Sequence, residues 1–108
     1  MKRLNALIVI AFAIGMVFTS CSEKKTTKKV VGVAMPTQSS ERWINDGANM
    51  KSQLEAKGYA VELQYAEDDV QLQVSQIENL IAKEVNCLVV AAIDSTELIN
   101  VLAEAKEK

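Results

Sequence analysis

Three consecutive residues, Glu41, Arg42 and Trp43, have the types needed to hold a small polyhydroxylated ligand. An arginine guanidinium offers several N–H donors in one rigid plane, and an indole presents a broad apolar face. A monosaccharide uses both, because its hydroxyls want planar polar partners while its C–H face stacks on a ring. Trp43 also falls on the apolar stripe of the helix that follows, where it would serve equally well as core. Asp68, Asp69 and Asp94 stand at the starts of predicted helices, where acids are ordinarily caps. Asp94 joins Glu41, Arg42 and Trp43 as a candidate ligand contact.

Other chemistry finds little support. The chain has no histidine, which removes the commonest general base and the commonest metal ligand together. Cys87 opens an apolar strand without a histidine partner and reads as a small core residue, not a nucleophile. The segment Pro36-Thr37-Gln38-Ser39-Ser40-Glu41 contains no glycine, which excludes a dinucleotide fingerprint and a Walker loop. Thr37, Ser39 and Ser40 weakly allow a flavodoxin-like phosphate loop, but export argues against a flavin carrier. The expectation is a protein with no catalytic residue, no metal and no cofactor.

The first 21 residues point to export. Lys2 and Arg3 precede an uncharged run over residues 6–18, followed by Thr19-Ser20-Cys21. About 13 apolar residues span only about 20 Å of helix, short of the roughly 30 Å hydrocarbon core, so a permanent transmembrane helix is disfavoured. Phe18 spoils the small-x-small pattern of an ordinary cleavage site. The run Phe18-Thr19-Ser20-Cys21 instead resembles a bacterial lipobox, in which Cys21 is acylated and becomes the new N-terminus. Residues 1–20 read as a lipoprotein signal peptide, and the product as an exported protein anchored to a membrane by lipid. Removing them leaves ten basic and fourteen acidic residues, a net charge of −4. With no basic stripe, nucleic acid is not expected as a partner. Residues 21–29, lysine-rich and without apolar periodicity, read as a polar tether; attraction to anionic headgroups is the other reading of the lysines.

From residue 30 the chain alternates strand and helix. Val30 to Met35 is a β-branched run that Pro36 ends. Trp43, Gly47, Met50 and Leu54 lie on one helical face, with Ser39 or Ser40 as cap and Gly58 as a left-handed stop. Residues 60–66 alternate, with Val61, Leu63 and Tyr65 on one side, as in an edge strand. Val70, Val74, Ile77 and Ile81 stripe a second helix, which Asp68 and Gln71 would open as a capping box. Residues 87–93 are apolar without alternation and predict a strand buried on both faces. Asp94 and Glu97 would cap a third helix that turns Leu98, Leu102 and Ala105 inward. The class is therefore α/β, a partial doubly wound parallel sheet built β-α-β-α-β-α in the order 2-1-3. Ligands of such sheets bind at the carboxyl ends of the strands, at Pro36 to Arg42, Glu67 to Asp69 and Asp94 to Thr96.

Several segments then resemble a known family. Met35-Pro36-Thr37-Gln38-Ser39-Ser40-Glu41-Arg42-Trp43, Asp46-Gly47, Leu63-Gln64-Tyr65-Ala66-Glu67-Asp68-Asp69 and Gln73-Val74-Ser75-Gln76-Ile77-Glu78-Asn79-Leu80-Ile81 resemble the sugar-binding proteins of bacterial ABC importers. The xylose-binding and multiple-sugar-binding branch is the most similar. The resemblance covers nearly all of residues 30–108. It implies a two-lobed protein that closes on a pentose or hexose and delivers it to an ABC permease, with Arg42 in contact with the sugar. An alternative role is a sugar-sensing lipoprotein that presents its ligand to a membrane receptor kinase. Such proteins are several times longer, so residues 30–108 are expected to be an incomplete N-terminal lobe. Glu84 departs from the family, which usually has glycine after that helix.

Overall fold

The computed structural model describes residues 27–108. Six elements alternate along it: β1 (Val30–Met35), α1 (Glu41–Ala56), β2 (Ala60–Tyr65), α2 (Val70–Ala82), β3 (Cys87–Val90) and α3 (Ile99–Glu107). The strands form one parallel sheet in the order β2-β1-β3. Val30 to Met35 pair with Ala60 to Tyr65 on one side, and Val31 to Ala34 with Cys87 to Val90 on the other. The expected class, alternation and strand order are all present. Cys21, the apolar run and most of the tether lie outside the described residues; Thr27, Lys28 and Lys29 are exposed and without regular structure.

The period-two alternation of β1 divides the core into two layers. Val31, Val33 and Met35 face α1 and pack with Trp43, Met50 and Leu54 of that helix and with Val61, Leu63 and Tyr65 of β2. Ala34 faces the other way, into a cluster with Ile77 of α2 and with Leu98 and Val101 at α3. Small residues on that side let α2 come close: a Cβ on Gly32 would stand 3.0 Å from Leu80 Cδ1. Val33, Ile77, Leu80 and Leu98 are fully buried. Each such side chain contributes about 1.5–3 kcal/mol of transfer free energy.

Both α1 and α2 end in the same backbone motif. Gly58 N–H bonds the Glu55 carbonyl and Tyr59 N–H the Leu54 carbonyl; Glu84 N–H bonds Ile81 and Val85 N–H bonds Leu80. The motif needs a left-handed residue after the cap, and Gly58 supplies it at φ 92°. Glu84 adopts the same region at φ 57°, where a side chain is strained by about 1 kcal/mol.

Four local expectations need correction. The N-cap of α2 is Asp69, whose carboxylate accepts from Leu72 N at 3.0 Å. Asp68 is unavailable for that role because it is left-handed (φ 62°), its N–H turned to the Pro36 carbonyl. The third strand stops at Val90 and is half-buried, with Cys87 exposed, since it has a strand neighbour on one side only. The third helix starts at Ile99, with Leu98 as a cap that makes no side-chain bond; Glu97 lies in the turn before it. Its inward face is Leu98 and Val101, with Leu102 exposed, because the helix meets the Ala34–Ile77 cluster one residue earlier in its rotation. Finally, Ser40 occupies the N-cap position of α1, but its side chain makes no capping bond.

Candidate functional site

The carboxyl ends of the three strands are tied together by backbone bonds that continue just past the ladders. Ala66 N–H donates to the Met35 carbonyl, Asp68 N–H to Pro36, and Ala91 N–H to Ala34. The loops after β1, β2 and β3 therefore leave the sheet from one edge. The first of them starts from Thr37, which is buried: its hydroxyl donates to Ser39 Oγ at 3.0 Å and accepts from Ser39 N at 3.1 Å. This closed turn delivers the chain to Ser40 and the start of α1.

Glu41, Arg42 and Trp43 form the first turn of α1. Glu41 and Arg42 are exposed and Trp43 is half-buried. The Arg42 guanidinium carbon lies 4.8 Å above the Trp43 ring centroid, an arrangement worth about 0.5–1 kcal/mol at an exposed site. Arg42 Nε also lies 3.7 Å from Asp46, but its side chain is 74% exposed, so the pair contributes at most about 1 kcal/mol. The guanidinium thus lies over the indole, and its N–H groups make no hydrogen bond among the described residues. Trp43 takes the core role foreseen for it, packing on the Val31–Met35 layer, and stays half-exposed.

The backbone of that turn is held from β2. The Tyr65 hydroxyl donates to the Trp43 carbonyl at 3.3 Å. Gly47, one turn further along α1, is buried and leaves the room that the phenol occupies. Gln76 of α2 in turn donates to the Tyr65 carbonyl at 2.9 Å. None of these three follows from a residue-by-residue reading of candidate ligand contacts. Gly47, a residue without a side chain inside the apolar stripe of α1, is the sequence signal from which a close approach could have been read.

Asp94 lies on the loop after β3, exposed, at the same end of the sheet. Its Oδ1 accepts from Thr96 N at 2.7 Å and Glu97 N at 3.1 Å. Both bonds use one oxygen, and the other has no hydrogen bond among the described residues. No hydrogen bond or ion pair among the described residues joins Asp94 to Arg42. The structure brings Arg42 and Trp43 into contact, sets Glu41 beside them, and places Asp94 separately on the neighbouring loop. Upstream of Asp94, the fully buried Gln73 donates to the Ala91 carbonyl and accepts from Ile93 N, each at 2.9 Å. A polar residue inside the apolar stripe of α2 was the available signal for it.

A groove of about 470 Å³ runs beside this edge, from Trp43 along α1 to Lys57, with Met35, Val89 and Ala91 among its lining. It follows the uncovered flank of β3 rather than the mouth where the loops converge. No group of three or more metal-ligating side chains occurs among the described residues.

The sequence model of the periplasmic binding protein domain family matches residues 31–108. The chain is 50% identical over 99 residues to the multiple sugar-binding periplasmic protein SbpA of Azospirillum brasilense, covering 89% of this chain and 28% of that protein. It is 45% identical over 107 residues to the multiple sugar-binding periplasmic receptor ChvE of Rhizobium radiobacter, covering 99% of this chain and 30% of the relative. Among solved structures it resembles an ABC transporter solute binding protein from Clostridium phytofermentans with bound β-D-glucose. The TM-score is 0.72 and the identity 56%, over 73% of this chain and 24% of the other. The chain thus spans under a third of the length of these relatives.

Proposed function

Because the chain belongs to the periplasmic binding protein domain family, we propose that the protein carrying it binds a monosaccharide outside the cytoplasm and passes it to an ABC permease. The observation that carries this reading is the Arg42–Trp43 stack in the first turn of α1, where the chain re-enters from the carboxyl end of the sheet. It stands in a chain similar to two multiple-sugar-binding proteins and to a glucose-bound solute binding protein.

On this reading the Arg42 fork donates to ring hydroxyls, the open part of the Trp43 indole stacks on the C–H face, and Glu41 and Asp94 accept hydroxyl protons. Neutral hydrogen-bonding groups on a sugar need such fixed partners, since each hydroxyl leaves water on binding and an unpaired one is penalised by about 1–3 kcal/mol. One sheet edge presents a single side of a ligand. The remaining contacts would come from the rest of the first lobe and from a second lobe closing over it. Export by residues 1–20 and acylation of Cys21 would keep the protein beside its permease, with residues 22–29 as the leash. Two acyl chains make such attachment durable where one is marginal.

The test is titration calorimetry of the full-length protein with D-glucose, D-galactose and D-xylose. Micromolar binding of at least one is expected. Absence of heat with every pentose and hexose tried, from a protein shown to be folded, would sink the proposal.

A further inference from the structure

We propose that Gln73 is the positioning residue of the loop after β3, so that its buried carboxamide, not the sheet, sets where Asp94 stands. The β3 chain keeps its bonds to β1 as far as Ala91, whose N–H donates to the Ala34 carbonyl. Beyond that point it leaves the ladder. Two of the backbone groups that follow, the Ala91 carbonyl and the Ile93 N–H on either side of Ala92, are taken by the Gln73 side chain at 2.9 Å. A carboxamide carries the same donor and acceptor as a peptide unit, so Gln73 acts as one more rung where the strand partner has ended. The apolar run of seven residues thus continues past the four-residue strand on a side-chain partner instead of a strand partner.

The anchor for that rung is rigid. Gln73 has no exposed surface, and its neighbours on the same face of α2, Ile77 and Leu80, have none either. Ile93 shares a peptide with Asp94, whose carboxylate then closes the next turn onto Thr96 and Glu97. The loop is therefore referenced to α2 at Ile93 and closed on itself at Asp94. An apolar side chain at position 73 would fill the volume but leave a buried carbonyl and a buried N–H unpaired. Gln73 touches no ligand position itself; it acts through Asp94. The ligand part of this inference rests on the sugar-binding reading, and the geometric part does not.

Gln73→Met keeps the shape of the side chain and removes both bonds. It is compared, in the full-length protein, with Ile77→Val, a core change one turn along α2 that spares the carboxamide. In Gln73→Met the amides of Ile93, Thr96 and Glu97 should exchange with solvent about tenfold faster or more, the scale set by losing one to two hydrogen bonds. D-glucose affinity should fall by a similar factor, while Ile77→Val keeps both within about twofold. Unchanged exchange at the three amides overturns the proposal, as does equal weakening of glucose binding by the two variants. A wild-type protein that binds no sugar, with the three amides still freed by Gln73→Met, supports the positioning role and retires the sugar reading instead. Should Gln73→Met not fold, Gln73→Glu keeps the acceptor for Ile93 N and loses the donor to Ala91. Faster exchange of the Thr96 and Glu97 amides, with Ile93 N–H still held by the carboxylate, then supports the proposal, and unchanged exchange of both overturns it.

Discussion

The phenol oxygen of Tyr65 occupies the space that a side chain on Gly47 would fill. The edge strand and the first helix meet at this point, and the hydroxyl that fits there also holds the Trp43 carbonyl. The pair thus connects core packing to the turn that carries the proposed sugar contacts.

Gly47→Ala tests the fit. In an open helix, alanine would be favoured over glycine by about 0.5–1 kcal/mol. Here the added Cβ collides with the Tyr65 hydroxyl and lies 3.2 Å from Leu63 Cδ1, so overpacking should win and destabilise by about 1–2 kcal/mol net. Adding Tyr65→Phe removes the colliding atom. Urea unfolding of both single variants and the double variant should show a favourable coupling of about 1 kcal/mol. Strict additivity would mean that the two residues do not share this space.

Arg42→Ala separates binding from stability. The side chain is mostly exposed and its pairing with Asp46 is weak, so the unfolding free energy should change by less than about 0.5–1 kcal/mol. Sugar affinity of the full-length protein should fall about tenfold or more, the loss expected when charged donors to a ligand are removed. Arg42→Lys should not restore it, because a lysine ammonium lacks the planar fork and stacks poorly on Trp43. Calorimetry with wild-type affinity in Arg42→Ala would remove Arg42 from the site.

The two adjacent acids at the start of α2 should respond differently. Asp69→Ala removes the cap on Leu72 N and should destabilise by about 1 kcal/mol. Asp68→Gly should be neutral or stabilising, since it relieves a left-handed φ of 62° and removes no capping bond. Thermal melts that rank the two in the reverse order would reassign the cap.

Glu84→Gly should stabilise the protein by about 0.5–1 kcal/mol, or a few degrees in melting temperature for a chain of this size. The reason is visible in the molecule: α1 closes the same motif with Gly58 at φ 92°, and α2 does so with Glu84 at φ 57°. A fall in melting temperature would mean that the Glu84 side chain makes a contribution larger than its backbone strain.

Periodicity carried most of the architecture. The stripe Trp43, Gly47, Met50 and Leu54 and the alternation Val61, Leu63 and Tyr65 identified the two surfaces that meet across the Val31–Met35 layer. Local readings failed where a long-range partner decides the outcome. Asp68 and Asp69 are equivalent as capping residues until the Pro36 carbonyl claims the Asp68 N–H. Cys87 and Ile93 look like interior positions of one strand until the first proves exposed and the second bonds a side chain of α2.

The sequence by itself determined the α/β class and the strand order, and it singled out the candidate trio Glu41, Arg42 and Trp43. These follow from short-range properties: side-chain periodicity, charge, and the types of neighbouring residues. Only the tertiary structure decided how the trio is held, with Arg42 over the indole, Tyr65 fastening Trp43 from β2, and Gln73 fastening the loop of Asp94 from α2. The last two links join residues 22 and 18 positions apart across packed layers. Their energies depend on distances and burial that no local pattern encodes.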